Sequence, residues 1–193
     1  MKNVLNQPNL RIAVLDLEAS GLGEGSYRIE VGLALIEGAT LPVRTWSTLI
    51  RPTRAWLNEG FWSPASARVH GLPLETIKQQ GHAVEDICDW LNGLLKSTSI
   101  VATDAPRYDQ DWLDTLFIAA GREQLFTLFH FEVLTSGLTA DQHQHLGYLL
   151  DRAPIPHRAG PDALRLASKL MEAHLGYPPR SEIVAHPPPR RVH

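Results

Sequence analysis

The sequence predicts an α/β domain, a mixed five-stranded sheet flanked on both faces by helices, on three observations. Residues 11–17, 27–37 and 43–51 are apolar runs of strand length joined by short links. Segments with apolar residues at helical spacing follow, interleaved with two further strand-like runs at 99–103 and 125–134. The chain has 193 residues, 44% of them hydrophobic, which suits one packed core, and it shows no internal repeat or interdomain linker.

In residues 11–17, Ile12, Val14 and Leu15 supply the buried bulk of a first strand, and Gly21 lets the chain turn after it. Gly38, Ala39, Thr40 and Pro42 separate the next two runs and predict a hairpin-like connection, so the first three strands are expected to be antiparallel. Residues 52–60 read as loop. Ser63 followed by Pro64 fits an N-cap and first helical position for a helix over 63–70, which Gly71 stops, and 73–79 starts another. Val84, Ile87, Cys88, Leu91, Leu94 and Leu95 make 84–95 an amphipathic helix. Residues 108–120, 139–152 and 160–174 read as further helices. His130 and Glu132 interrupt the strand-like run at 125–134. Beyond Gly176 the chain carries five prolines and no apolar periodicity, which predicts a domain over 1–176 and, over 177–193, a Pro-rich tail or a strap over the surface.

Composition narrows the function classes. Cys88 is the single cysteine, so no intrachain disulfide forms and a reducing compartment, the cytoplasm, is expected. No apolar run is long enough to span a bilayer, and the first ten residues lack the apolar core of a secretory signal. No membrane partner is expected. A net charge of −3 argues against strong nonspecific binding to long nucleic acid, unless several acids are metal ligands.

The acids are where the chemistry lies. Asp16 and Glu18 stand two residues apart at the end of a hydrophobic strand, so they point the same way and repel unless a cation neutralises them. A solvent-facing acidic strand end would explain a lone pair of this kind. Asp109 falls on the apolar stripe of Leu113, Leu116 and Ala120, where an unpaired charge is costly to bury. Asp104 and Asp111 have simpler explanations, an N-cap and a surface acid. Asp162 precedes the stripe of Leu166, Leu170 and Ala173, and the helix dipole alone accounts for an acid in that first turn. His157 lies in the loop just before, able to swing over the end of the sheet. Four carboxylates with few nitrogen or sulfur ligands suit Mg²⁺ or Mn²⁺ rather than structural zinc.

Taken in order, these motifs resemble the DEDDh family of 3′→5′ exonucleases, which have an RNase H-like fold. Asp16-Leu17-Glu18-Ala19-Ser20-Gly21-Leu22 matches the family's first motif, and Val69-His70-Gly71-Leu72 matches its middle segment. Tyr108-Asp109 matches the end of the second motif, and His157 through Asp162-Ala163 the third. The match runs from about residue 11 to residue 170. The second motif departs from the usual His-Asn-Ala, reading Thr103-Asp104-Ala105, and that bears on the substrate. The resemblance implies two divalent ions, Mg²⁺ or Mn²⁺, held by Asp16, Glu18, Asp109 and Asp162, with His157 as general base. It implies hydrolysis at the 3′ end of single-stranded DNA or RNA, with release of nucleoside 5′-monophosphates. Ser20, Gly21, Leu22, His70 and Tyr108 are then expected around the terminal nucleotide. A homodimer or a tethering protein partner stays open. The contrasting reading is a catalytically silent nucleic-acid-binding or scaffold domain of the same fold. Against it stand the intact acids and His157, since a binder gains nothing from clustered acids facing a polyanion.

Overall fold

The computed structural model describes Leu5 and residues 11–184. Among these residues six strands form one sheet: β1 (Ile12–Ala19), β2 (Arg28–Ile36), β3 (Val43–Leu49), β4 (Ile100–Thr103), β5 (Leu128–His130) and β6 (Ser181–Ile183). Their order across the sheet is β5-β4-β1-β2-β3-β6. The short links make β1, β2 and β3 an antiparallel meander, while β4 runs parallel to β1, β5 to β4 and β6 to β3. The sheet is mixed as expected, but it has six strands rather than five.

Eight helices accompany it among the described residues: α1 (Arg54–Glu59), α2 (Pro64–His70), α3 (Leu74–Gln80), α4 (Val84–Leu95), α5 (Pro106–Ala120), α6 (Glu132–Thr135), α7 (Ala140–Arg152) and α8 (Ala159–Leu175). Several start where their sequence says they should. The Ser63 side chain accepts from the Ser66 amide to cap α2, with Pro64 in the first turn, and left-handed Gly71 ends it. Thr139 and Gln142 form a reciprocal capping box on α7.

Four expectations need correction. Residues 52–60 contain α1, because the Thr53 hydroxyl accepts from the Trp56 amide at 3.1 Å and nucleates a turn with no apolar periodicity to announce it. The run at 125–134 shortens to β5 and then turns into α6; the Asn92 side chain takes the Leu125 amide at 2.9 Å and holds the approach as loop. Within the segment expected as a tail or strap, 181–183 form β6. Its side chains are exposed, so no alternation marks it, and backbone bonds at its two ends dock it on β3: Val43 N–H to the Arg180 carbonyl and Val184 N–H to the Thr45 carbonyl, at 2.9 and 2.8 Å. Residues 185–193 of that tail lie outside the described residues. Finally, Asp104 does not cap α5; Ala105 holds that position without a side-chain bond, and Asp104 is exposed.

The sheet is a shared wall between two cores. On one face Ala13, Leu15, Leu17, Val31 and Leu33 meet the apolar stripes of α4 and α5. On the other, Ile12, Val14, Ala34 and Ile36 meet Leu166, Leu170 and other residues of α8, with Leu146 of α7 behind. This period of two along β1 decides where the acids go.

Candidate metal centre and nucleotide pocket

Continuing the alternation of Ile12 and Val14 brings Asp16 and Glu18 to the α8 side, at the end of β1. Opposite Asp16 on β2 stands Gly32, and a Cβ there would lie 2.1 Å from the Ala159 carbonyl carbon. Only glycine lets the start of α8 press this closely on the sheet. That contact delivers Asp162. One oxygen from each of Asp16, Glu18 and Asp162 lies within 4.8 Å of the others, spacing that suits a shared divalent cation.

The electrostatics of the trio ask for such an ion. Burial, followed by the charges of Asp109, Glu18, Asp162 and Asp104, pushes the Asp16 carboxyl up to about 9. Burial, then Glu30 and Asp162, pushes Glu18 up to about 7, against a lowering pull from Arg158. Asp162 Oδ2 accepts the Arg158 amide at 3.0 Å, while Oδ1 is buried with no hydrogen-bond partner. An all-oxygen set with a buried, unpartnered oxygen fits Mg²⁺ or Mn²⁺.

Asp109 lines the same pocket of about 440 Å³ as Asp16, Glu18, Asp162 and His157, but it is not one of the close trio. It is 2% exposed in the first turn of α5, and the Thr103 hydroxyl donates to its Oδ2. Thr103 thus anchors the carboxylate from the position where the resemblance leads one to expect His. Burial still pushes Asp109 up to about 7, with the Thr103 bond and Arg28 opposing. His157 is exposed, has a φ of 53° that few non-glycine residues adopt, and borders both pockets described here.

A neighbouring pocket of about 410 Å³ shares Glu18 and His157 and is walled by Gly21, Leu22, Val69, His70 and Trp112. Leu22 is 82% exposed at its rim. His70 is buried; its Nδ1 accepts the Leu72 amide at 3.0 Å and its Nε2 has no hydrogen-bond partner. Desolvation holds its pKa below the ordinary histidine value, so the ring is neutral near pH 7 with its proton on Nε2. Tyr108 is exposed and borders the Asp109 side. Ser20 lies elsewhere in kind: fully buried, its hydroxyl donates to the Phe61 carbonyl at 2.7 Å and accepts the Tyr27 amide. It secures the loop that carries Gly21 and Leu22.

Four residues of this region escape a motif-based reading. Glu30, 1% exposed and paired across the strands with Glu18, accepts Arg158 through both oxygens at 2.8 and 2.9 Å and the Ala159 amide at 3.0 Å. This charged clamp ties β2 to the start of α8 and so sets the loop bearing His157. Arg28, 2% exposed, lays its guanidinium 4.4 Å from the centre of the Trp112 ring, which borders both pockets. The visible signal was two ionisable residues, Arg28 and Glu30, inside an otherwise apolar strand.

No protein-family model matches the chain, and no curated protein sequence matches it. Solved structures do. Pop2p of S. pombe, in its Mg²⁺- and Mn²⁺-bound form, superposes with a TM-score of 0.59 over 86% of this chain and 83% of Pop2p, at 18% identity. E. coli exonuclease I in complex with a dT13 oligonucleotide gives 0.62 over 84% of this chain, at 12% identity, and its zinc-bound complex with single-stranded DNA gives 0.63 over 87%, at 11%. The chain spans 41% of exonuclease I in both. At these identities the likeness is one of fold, and it is the fold that the motifs implied. By fold, the chain is similar to Pop2p and to exonuclease I.

Proposed function

We propose that the protein is a metal-dependent 3′→5′ exonuclease of the DEDDh type, releasing nucleoside 5′-monophosphates from single-stranded DNA or RNA ends. The observation that carries this reading is the convergence of Asp16, Glu18 and Asp162 within 4.8 Å beside a pocket bordered by Asp109 and His157. Two Mg²⁺ or Mn²⁺ ions, when bound, would supply charge neutralisation at a phosphodiester. Asp16, Glu18 and Asp162 would hold them, with Asp109 completing the set from α5.

The remaining steps belong to the chain's own groups. His157 takes the proton of the attacking water at an imidazole nitrogen, and its exposure lets it approach and leave. The free Nε2–H of His70 serves as donor to the 3′-terminal sugar. Leu22, Tyr108 and Trp112 give the terminal base an apolar and aromatic surface, a mode of contact that tolerates any base. The likeness to structures holding single-stranded DNA supports a single-stranded substrate. With a net charge of −3 and an added acid at Asp104, short 3′ ends or a tethering partner suit this chain better than a long polyanion.

The test is hydrolysis of 5′-labelled single-stranded DNA and RNA oligomers with Mn²⁺, Mg²⁺ or EDTA. Shortening from the 3′ end is expected with either metal, none with EDTA and none for Asp162→Ala. Intact oligomers under every condition, from folded protein, would overturn the proposal.

A further inference from the structure

Behind the metal centre, α8 and the β3–β6 edge of the sheet border a third, open cavity of about 380 Å³ that the proposed reaction does not use. Thr45 and Ser47 of β3, Leu164, Arg165 and Ser168 of α8, and Ile183 of β6 line it. Two of these residues carry a buried polar atom that makes no hydrogen bond. Thr45 is 4% exposed, and its hydroxyl has no hydrogen-bond partner. Arg165 Nε is buried and makes no hydrogen bond; its ion pair with Asp162 Oδ1, at 3.6 Å, is beyond hydrogen-bond reach. Native proteins rarely leave such atoms unsatisfied, so the pair points to a missing ligand.

The chemistry of the wall limits what that ligand is. A guanidinium and a hydroxyl together satisfy a carboxylate, the first through a charge-assisted bond. One guanidinium offsets one negative charge, and the second charge of a phosphomonoester would stay uncompensated beside Leu164 and Ile183. Those two side chains ask instead for an apolar body.

We propose that this cavity binds a small carboxylic-acid anion with an apolar body, and that its occupancy and the metal's strengthen each other through Arg165 and Asp162. The coupling rests on Asp162 being a metal ligand, as proposed above. A cation on Asp162 takes up the charge nearest Arg165 and leaves the guanidinium to the cavity. An anion on Arg165, in turn, leaves Asp162 to the cation. By linkage the two affinities change by the same factor.

Benzoate is the probe. Amide-resolved NMR is expected to show benzoate shifting Ser47, Ser168 and Ile183, at lower concentration with Mg²⁺ than without it. Calorimetry is expected to show Mn²⁺ binding about fivefold tighter in saturating benzoate, the low end of ordinary coupling. Arg165→Gln and the near-isosteric Thr45→Val should each weaken the benzoate shifts at least tenfold while still binding Mn²⁺. Phenyl phosphate should bind the cavity more weakly than benzoate. Shifts confined to the surroundings of Leu22 and Trp112, or shifts unchanged in both variants, overturn the site. Benzoate binding that ignores Mg²⁺ overturns the coupling. Failure of the wild type to bind Mn²⁺ at all overturns the metal reading instead, and leaves the cavity to be judged on the metal-free NMR shifts.

Discussion

Asp16 stands where burial and four neighbouring acids all act against its charge. Its carboxyl, at about 9 against an ordinary 3.8, takes up a proton on folding at any pH between those values. The folded state then binds more protons than the unfolded one, so the metal-free protein loses stability as pH rises through that window. Thermal melts without metal should show Tm falling between about pH 4 and about pH 9, the range these raised carboxyl values define. Added Mn²⁺ should raise Tm more at the higher pH, because the ion must displace those protons to bind. A Tm flat across the window, with or without Mn²⁺, would contradict the electrostatic account. Asp16→Asn removes the charge and should raise the metal-free Tm at pH 8 by a few degrees while abolishing Mn²⁺ binding by calorimetry. His157→Ala belongs to the same scale but a different role. It should lower turnover roughly 10²–10⁴-fold and leave Mn²⁺ affinity unchanged, since proton transfer is all it removes. Unchanged turnover would take His157 out of the mechanism.

At the scale of elements, the site depends on how closely α8 approaches β2. A Cβ on Gly32 would sit 2.1 Å from the Ala159 carbonyl carbon, and one on Gly160 2.6 Å from the Ser47 Cβ. Gly32→Ala should therefore cost about 1–3 kcal/mol or more in denaturant unfolding, the usual range for overpacking. It should also weaken Mn²⁺ binding, because Asp162 moves with the helix start. Wild-type Mn²⁺ affinity in a destabilised Gly32→Ala protein would show that the metal centre does not need this contact. The sequence shows the carboxylates of this junction well, because a strand's period of two and a helix's apolar stripe both fix where a side chain points. Asp109 and Asp162 could be assigned to core-facing stripes, and both are buried with Leu113 and Leu166 beneath them. What the pattern hides is whatever depends on partners distant in sequence. The Glu30–Arg158 clamp joins residues far apart in the chain, so neither residue alone signals it. β6 is held by its backbone and α1 by one threonine hydroxyl, and neither writes a periodicity. The internal bonding of Ser20 is likewise invisible until Phe61 is seen beside it.

For the whole molecule, the sheet separates two apolar cores and gathers Asp16, Glu18, Arg28 and Glu30 at one end. Asp16, Glu18 and Glu30 come from adjacent strands, Asp109 and Asp162 from helices on opposite faces. No single element holds the site, so its integrity reports the fold's integrity. Among the described residues no helix is long and apolar enough to cross a membrane. The net charge of −3 counts the acids proposed as metal ligands as free, and two divalent ions would offset four of them. Binding of a polyanion is therefore expected to require metal even before hydrolysis. In fluorescence anisotropy with Ca²⁺ as a non-hydrolytic substitute, a single-stranded oligomer should bind, and EDTA should weaken that binding at least tenfold. Binding indifferent to EDTA would favour a metal-independent interface away from the carboxylates.

The central claim is one of chemistry and direction, and the first product released tests it most directly. Mass spectrometry of a brief Mn²⁺ reaction on a single-stranded oligomer with a distinguishable 3′-terminal residue should find that residue first, as a nucleoside 5′-monophosphate, with the strand shortened by one. Release of nucleoside 3′-monophosphates, internal fragments, or the 5′-terminal residue first would contradict the account.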